Sequence, residues 1–194
     1  MDARYIKAVA VLPKQNKVCG RVLLPFCLRH RMALEAINSP FVKADATKFT
    51  PVDVIYALKI LSTYNKEEMV FNLSLSDRWH LLLLLFSKKK MIKSVGTIMG
   101  VINISCSYPK TWHKESKVNK NNFPWVLACV SNLVRNGCSL EEAWTMPEGE
   151  AIWMSLSHSI YNGAKIDIIT TEDEEELSKF DERIEAYKKR MNIN

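Results

Sequence analysis

Near the C-terminal end, Leu177, Phe180, Ile184, Tyr187 and Met191 follow one another at intervals of 3, 4, 3 and 4 residues. That spacing puts all five on one narrow edge of an α-helix, the rhythm of a helix that packs along a seam. The rest of the stretch is strongly charged. Five consecutive acids, Glu172 to Glu176, stand at its start, and Lys188, Lys189 and Arg190 near its end. Each charge group opposes the adjacent pole of the helix dipole. A helix with this edge alone is marginal, so the edge must meet a protein surface. That surface belongs to the chain's own body, to a second copy or to another protein. No partner signature accompanies the helix, so the first two are preferred as the site of protein contact.

Helix-start signals divide the preceding chain. Pro25 opens a helix with Leu28, Met32, Ala33, Leu34 and Ile37, which ends at Ser39-Pro40. Thr50-Pro51-Val52-Asp53 combines a hydroxyl cap, a first-turn proline and an acid, and predicts a helix to Tyr64. Ser74 or Ser76 caps a helix containing Trp79, Leu82, Leu83 and Phe86. Its Leu81–Leu85 stretch is apolar all round, which predicts the most buried helix of the protein. After a break at Lys88–Lys90 the pattern resumes through Met91, Val95, Ile98, Met99 and Ile102. Gly96 and Gly100, four apart, read as a tight contact or a fray point. Phe123-Pro124 opens a helix with Trp125, Leu127, Ala128, Leu133 and Val134 that stops at Gly137. Ser139 to Glu142 is a capping box for a short helix ending at Met146-Pro147. A last core helix turns Ala151, Ile152, Leu156 and Ile160 inward and ends at Asn162-Gly163. Thr171 to Glu174 opens the tail helix in the same Ser/Thr-x-x-Glu manner.

Two β-prone runs, Tyr5–Leu12 and Val18–Leu24, flank a turn at Pro13–Lys17, although Gly20 interrupts the second. The expected fold is mainly α: a bundle of about six helices with a short N-terminal β-hairpin and a C-terminal amphipathic helix. The expected parts are a basic helical region (1–107), a polar connector (108–122), a helical region (123–168) and the acidic tail helix (169–194). The body and connector make one unit, with the tail appended.

Of 194 residues, 47% are apolar and 25% charged, ample for a packed core. No apolar run exceeds Leu81–Phe86, which is far shorter than the roughly 20 residues of a membrane helix, and no secretory leader pattern is seen. Residues 1–120 carry 20 Lys/Arg against 8 Asp/Glu, and residues 121–194 carry 7 against 13. A basic half of this kind suits nucleic acid or the acidic tail equally. The nucleic-acid alternative rests on Lys88, Lys89, Lys90 and Lys93. It rests also on Lys110, Trp112, Lys114, Lys117 and Lys120, a basic run with aromatic neighbours Tyr108 and Phe123 such as single-strand binders use.

Catalytic signatures are missing. There is no Gly-rich phosphate loop, no His-Glu-x-x-His and no Gly-x-Ser-x-Gly. Cys19, Cys27, Cys106, Cys129 and Cys138 lack metal-ligand spacing and read as reduced, buried thiols. His30, His80, His113 and His158 stand without His or Cys partners one helical turn away. Ser155-Leu156-Ser157-His158-Ser159 places Ser and His close together, but catalysis needs a defined hydrogen bond plus an orienting acid, and neighbours in helical sequence point in different directions. Arg29, His30 and Arg31 beside Cys27 form a polar knot that reads as a helix surface with an inward thiol. No enzyme activity, metal or cofactor is expected.

Two stretches carry a resemblance. The first is Cys19-Gly20-Arg21-Val22-Leu23-Leu24-Pro25-Phe26-Cys27-Leu28-Arg29-His30, continuing from Leu34 to Phe41. The second is Gly137-Cys138-Ser139-Leu140-Glu141-Glu142-Ala143-Trp144-Thr145-Met146-Pro147, with the helix to Asn162-Gly163. Together they resemble the small helical tail-assembly chaperones of tailed phages and prophages. The resemblance implies a non-enzymatic helper that binds another phage protein, such as the tape-measure protein, or itself. It implies a cytoplasmic setting in an infected or lysogenic host cell.

Overall fold

A computed structural model describes residues 2–9, 16–43, 45–46, 48–69, 72–111 and 124–191. Among these, the chain forms nine α-helices: α1 (Ala3–Val9), α2 (Leu28–Ala36), α3 (Pro51–Leu61), α4 (Leu75–Phe86), α5 (Lys88–Ser105), α6 (Trp125–Arg135), α7 (Leu140–Thr145), α8 (Glu148–Tyr161) and α9 (Thr171–Met191). Two small antiparallel sheets accompany them, β1 (Asn16–Val18) with β2 (Arg21–Leu23), and β3 (Lys110–Thr111) with β4 (Ile168–Ile169). The mainly α fold is as the sequence predicts, with more and shorter helices than the six expected.

Helices begin where side chains can satisfy their free N–H groups. Thr50 and Asp53 close a reciprocal box on α3, as Ser74 and Asp77 do on α4 and Ser139 and Glu142 on α7. The tail helix is capped one residue earlier than expected: Thr170 accepts from the Asp173 N–H at 3.1 Å, and Asp173 accepts from the Thr170 N–H at 2.7 Å. Ser87 alone separates α4 from α5. Its backbone is extended (φ −128°, ψ 93°), and its Oγ accepts the Lys90 N–H at 3.4 Å.

The first expected β-run is helical instead. Asp2 caps α1 by accepting the Arg4 N–H at 2.8 Å, and the Tyr5 ring meets Trp153 of α8 edge-on at 5.6 Å. Tertiary contact therefore overrides β-propensity in this segment; Ala10, Val11, Leu12 and Pro13 to Gln15 lie outside the described residues. The hairpin forms further along, with Asn16 opposite Leu23 and Val18 opposite Arg21. Its turn is Cys19-Gly20, both at positive φ (48° and 78°), as a two-residue hairpin turn requires. The Gly20 that interrupts the β-pattern is the turn itself.

The core has two apolar clusters with α2 between them. One gathers Leu23, Phe26, Leu34, Val54, Leu58, Leu61, Leu84, Ile98 and Val101. The other gathers Leu28, Val126, Val130, Leu133, Ala143 and Ala151. Gly149 lets α8 approach the end of α5: a Cβ there would lie 2.7 Å from the Ser105 carbonyl oxygen. Gly96 and Gly100 have open space around them, so the four-residue spacing marks no tight contact. On α8, Ala151 and Trp153 are buried and Ile160 is exposed rather than inward.

Candidate interaction surfaces

The helix expected to be the most buried is among the most open. On α4, Asp77 and Leu84 are buried, whereas Leu75 (84% exposed), Trp79 (62%), Leu82 and Phe86 (88%) face outward. At about 100° per residue, these four cluster roughly 170–180° around the helix from Leu84 and Asp77. The orientation is set by the acid. Asp77 is bound by Arg21 at 2.7 Å and lies 3.8 Å from Lys59. Burial would raise its carboxyl, but hydrogen bonds from Arg21 and Ser74 outweigh burial and hold it below the ordinary range. Fixing Asp77 inward turns the opposite edge to solvent. An aromatic-rich apolar edge of this kind is the usual mark of a protein contact.

Behind the edge, on the neighbouring face of α4, lies a cleft of about 320 Å³. His80 and Leu83 of α4 line it together with Lys17, Cys19, Lys90, Lys93 and Ser94. The edge is thus flanked by cations on one side. Lys88, Lys89, Lys90 and Lys93 are all exposed, and none forms an ion pair among the described residues. Lys110 instead contacts Glu174 at 2.5 Å, while Trp112, Lys114, Lys117 and Lys120 lie outside the described residues.

The second apolar edge is the one expected from the 3-4 rhythm, and its side chains from Leu177 to Tyr187 are exposed. Phe180 (60%) and Tyr187 (61%) are exposed, as are Leu177 and Ile184; Met191 ends the helix. The described ion pairs between α9 and the body stop at its first turn, although Lys110 also borders a cleft with Leu177, Asp181 and Glu185. Glu174 meets Arg4 at 3.4 Å and Lys110, and Arg4 also donates to the Ile169 carbonyl.

The polar knot at residues 29–31 divides three ways. Arg29 grips Glu141 through two bonds of 2.6 and 2.7 Å. His30 is fully buried between the rings of Phe26 and Tyr64; its Nε2 donates to the Thr63 carbonyl at 2.9 Å and its Nδ1 accepts the Cys27 N–H. Burial lowers its imidazole to about 4, so it is neutral. Arg31 forms a bidentate pair with the fully buried Glu148 at 2.7 and 2.9 Å, and the Tyr108 hydroxyl donates to the same carboxylate.

His30 and the Arg31–Glu148–Tyr108 group are walled in and mutually satisfied, as a structural keystone should be, whereas Glu141 stands at the surface. Cys27, pushed up to about 11 by burial, and Cys106, pushed up to about 12, are thiols rather than thiolates. Asn132 donates to Ser155, and no His/Cys/Asp/Glu cluster suited to a metal occurs among the described residues. No signal in the local sequence joins Arg31 to Glu148, since 117 residues separate them.

The same contacts bring the two resembling stretches together. Leu28 N–H donates to the Met146 carbonyl, Glu148 N–H to the Phe26 carbonyl, and Cys27 pairs with Pro147 as an isolated β-bridge. No helix among the described residues is long and apolar enough to cross a membrane. The chain matches no protein-family model, no curated protein and no solved structure.

Proposed function

We propose that this chain is a non-enzymatic helper that seats an amphipathic helix of another protein on the outward edge of α4. In keeping with the resemblance of its residues 19–41 and 137–163, its setting is phage tail morphogenesis and its client is of the tape-measure type. The observation that carries the reading is the outward row of Leu75, Trp79, Leu82 and Phe86, on a helix whose opposite face is pinned by Asp77. Trp79 is the expected anchor, because a large aromatic ring supplies contact area at little entropic cost. The test is binding of fluorescent helical tape-measure fragments by anisotropy. Trp79→Glu weakens binding at least tenfold; equal binding by Trp79→Glu, or none by the unaltered chain, refutes the reading.

A nucleic-acid reading has one observation in its favour, the exposed and unpaired Lys88, Lys89, Lys90 and Lys93. It demands affinity for single-stranded DNA or RNA that falls steeply with salt and is lost on Lys→Glu exchange at these four positions.

A further inference from the structure

The chain displays two open apolar edges of matching length and opposite surroundings. On α4 the intervals are 4, 3 and 4 from Leu75 to Phe86, and on α9 they are 3, 4 and 3 from Leu177 to Tyr187. At about 1.5 Å per residue, the edges run roughly 16 and 15 Å. From Leu75 to Lys93 there are five Lys/Arg and one acid, Asp77, already taken by Arg21. From Glu172 to Glu185 there are eight acids and two bases.

The flank that borders the lysine cleft favours one direction of packing, against the juxtaposition of Arg78 with Arg183 on the other flank. Around α4, Leu83 and His80, which border the lysine cleft, lie about 70° and 130° onward from the apolar edge. Around α9, Asp181 and Glu185 lie about 80° and 120° onward from its edge in the same sense. Helices packed face to face in opposite directions bring such flanks to the same side; helices packed in the same direction separate them. Antiparallel packing therefore sets Asp181 and Glu185 beside Lys90 and Lys93. It also brings Glu172–Glu176 toward Lys88–Lys90, where same-direction packing would bring Lys188 and Arg190.

We propose that, without a client, the α4 edge is occupied by α9 of a second copy, packed antiparallel, and that the exchange is reciprocal and closes as a two-fold dimer. This rests on the reading of α4 as a docking edge, and it makes the tail of the second copy the competitor that a client must displace. Beyond Glu174 no ion pair among the described residues ties the tail to its own body; Lys110 borders its acidic flank in a cleft with Leu177, Asp181 and Glu185, while Phe180, Ile184 and Tyr187 remain exposed to a neighbour.

The experiment is light scattering of the full chain at tens of micromolar, with circular dichroism confirming that each variant is folded. The unaltered chain has the mass of a dimer, while Trp79→Glu and Phe180→Glu, both at exposed positions, are each monomeric. Mixing the two variants restores a weaker dimer, because one interface then pairs an intact α4 with an intact α9. Lys90→Glu with Lys93→Glu weakens the dimer at least tenfold, and Asp181→Lys with Glu185→Lys in the same chain recovers it. A monomeric unaltered chain, a dimer that survives Phe180→Glu, or a mixture that stays monomeric overturns the proposal. Should tape-measure fragments bind through Trp79 while Phe180→Glu leaves the mass unchanged, the docking edge stands and the swapped tail falls. Should the variants complement while no client binds, the proposed function falls and the swapped tail stands.

Discussion

Two substitutions on α4, only two residues apart, separate its inward face from its outward edge. Leu84 is 3% exposed within the first core cluster, and Phe86, two residues on, is 88% exposed. Leu84→Ala removes apolar groups worth about 0.8 kcal/mol per carbon and leaves a cavity, for a total loss of about 2–5 kcal/mol. Phe86→Ser gives up about an eighth of a ring surface of roughly 200 Å², which at about 25 cal/mol per Å² is near 0.6 kcal/mol. Both are measured by urea unfolding, followed by far-ultraviolet circular dichroism, in a Phe180→Glu background so that self-association does not enter. The midpoint falls strongly for Leu84→Ala and slightly for Phe86→Ser, with unchanged slopes. A loss above about 2 kcal/mol for Phe86→Ser, or below about 1 kcal/mol for Leu84→Ala, refutes the outward edge and with it the docking surface.

His30 gives a pH signature. Its folded-state imidazole titrates at about 4 instead of the ordinary 6.5, so between those values the unfolded chain holds a proton that the folded chain does not. Stability is therefore full above about 6.5 and falls as pH drops to about 4, by about 3.5 kcal/mol in all at about 1.4 kcal/mol per unit. His30→Gln flattens that slope in urea titrations at pH 7 and 4.5, and an unchanged slope contradicts the burial argument. Arg31→Met strands the buried Glu148 carboxylate with Tyr108 as its remaining charge-free donor and costs about 3–5 kcal/mol in thermal unfolding, while Arg31→Met with Glu148→Leu regains most of it. Gly149→Ala is destabilising by about 1–3 kcal/mol because its methyl meets the Ser105 backbone, whereas Gly100→Ala, in open space, stabilises by about 0.5–1 kcal/mol. Cys27 resists maleimide until the chain is unfolded, since it is fully buried and protonated.

What could be read from the residues was local. Thr50-Asp53 and Ser139-Glu142 are boxes whose partners lie three residues apart, so short-range chemistry decides them. The tail rhythm was legible because charged residues outline it. The α4 edge was not, although Leu75, Trp79, Leu82 and Phe86 keep the same rhythm: five consecutive leucines blur any period, and tertiary contacts such as Arg21–Asp77, 56 residues apart, show which side turns inward. The single acid within an apolar helix was the available signal. Tyr5 to Val9 reads as strand because β-branched and aromatic residues are dense there, while the helix depends on the distant ring of Trp153. Long-range pairs such as Arg29–Glu141 and Arg31–Glu148 left no trace in spacing.

Ser87 joins α4 to α5 with no slack, closing one helix and capping the next. A load on the outer edge of α4 is thus applied to a lever whose other arm, Ile98, Val101 and Ile102, is embedded in the interior and whose far end, Ser105, holds the Phe26 backbone. Occupation of the edge should slow amide exchange along α5, some distance from any touching residue. A guest seated on this protein would then announce itself in the stiffness of its middle.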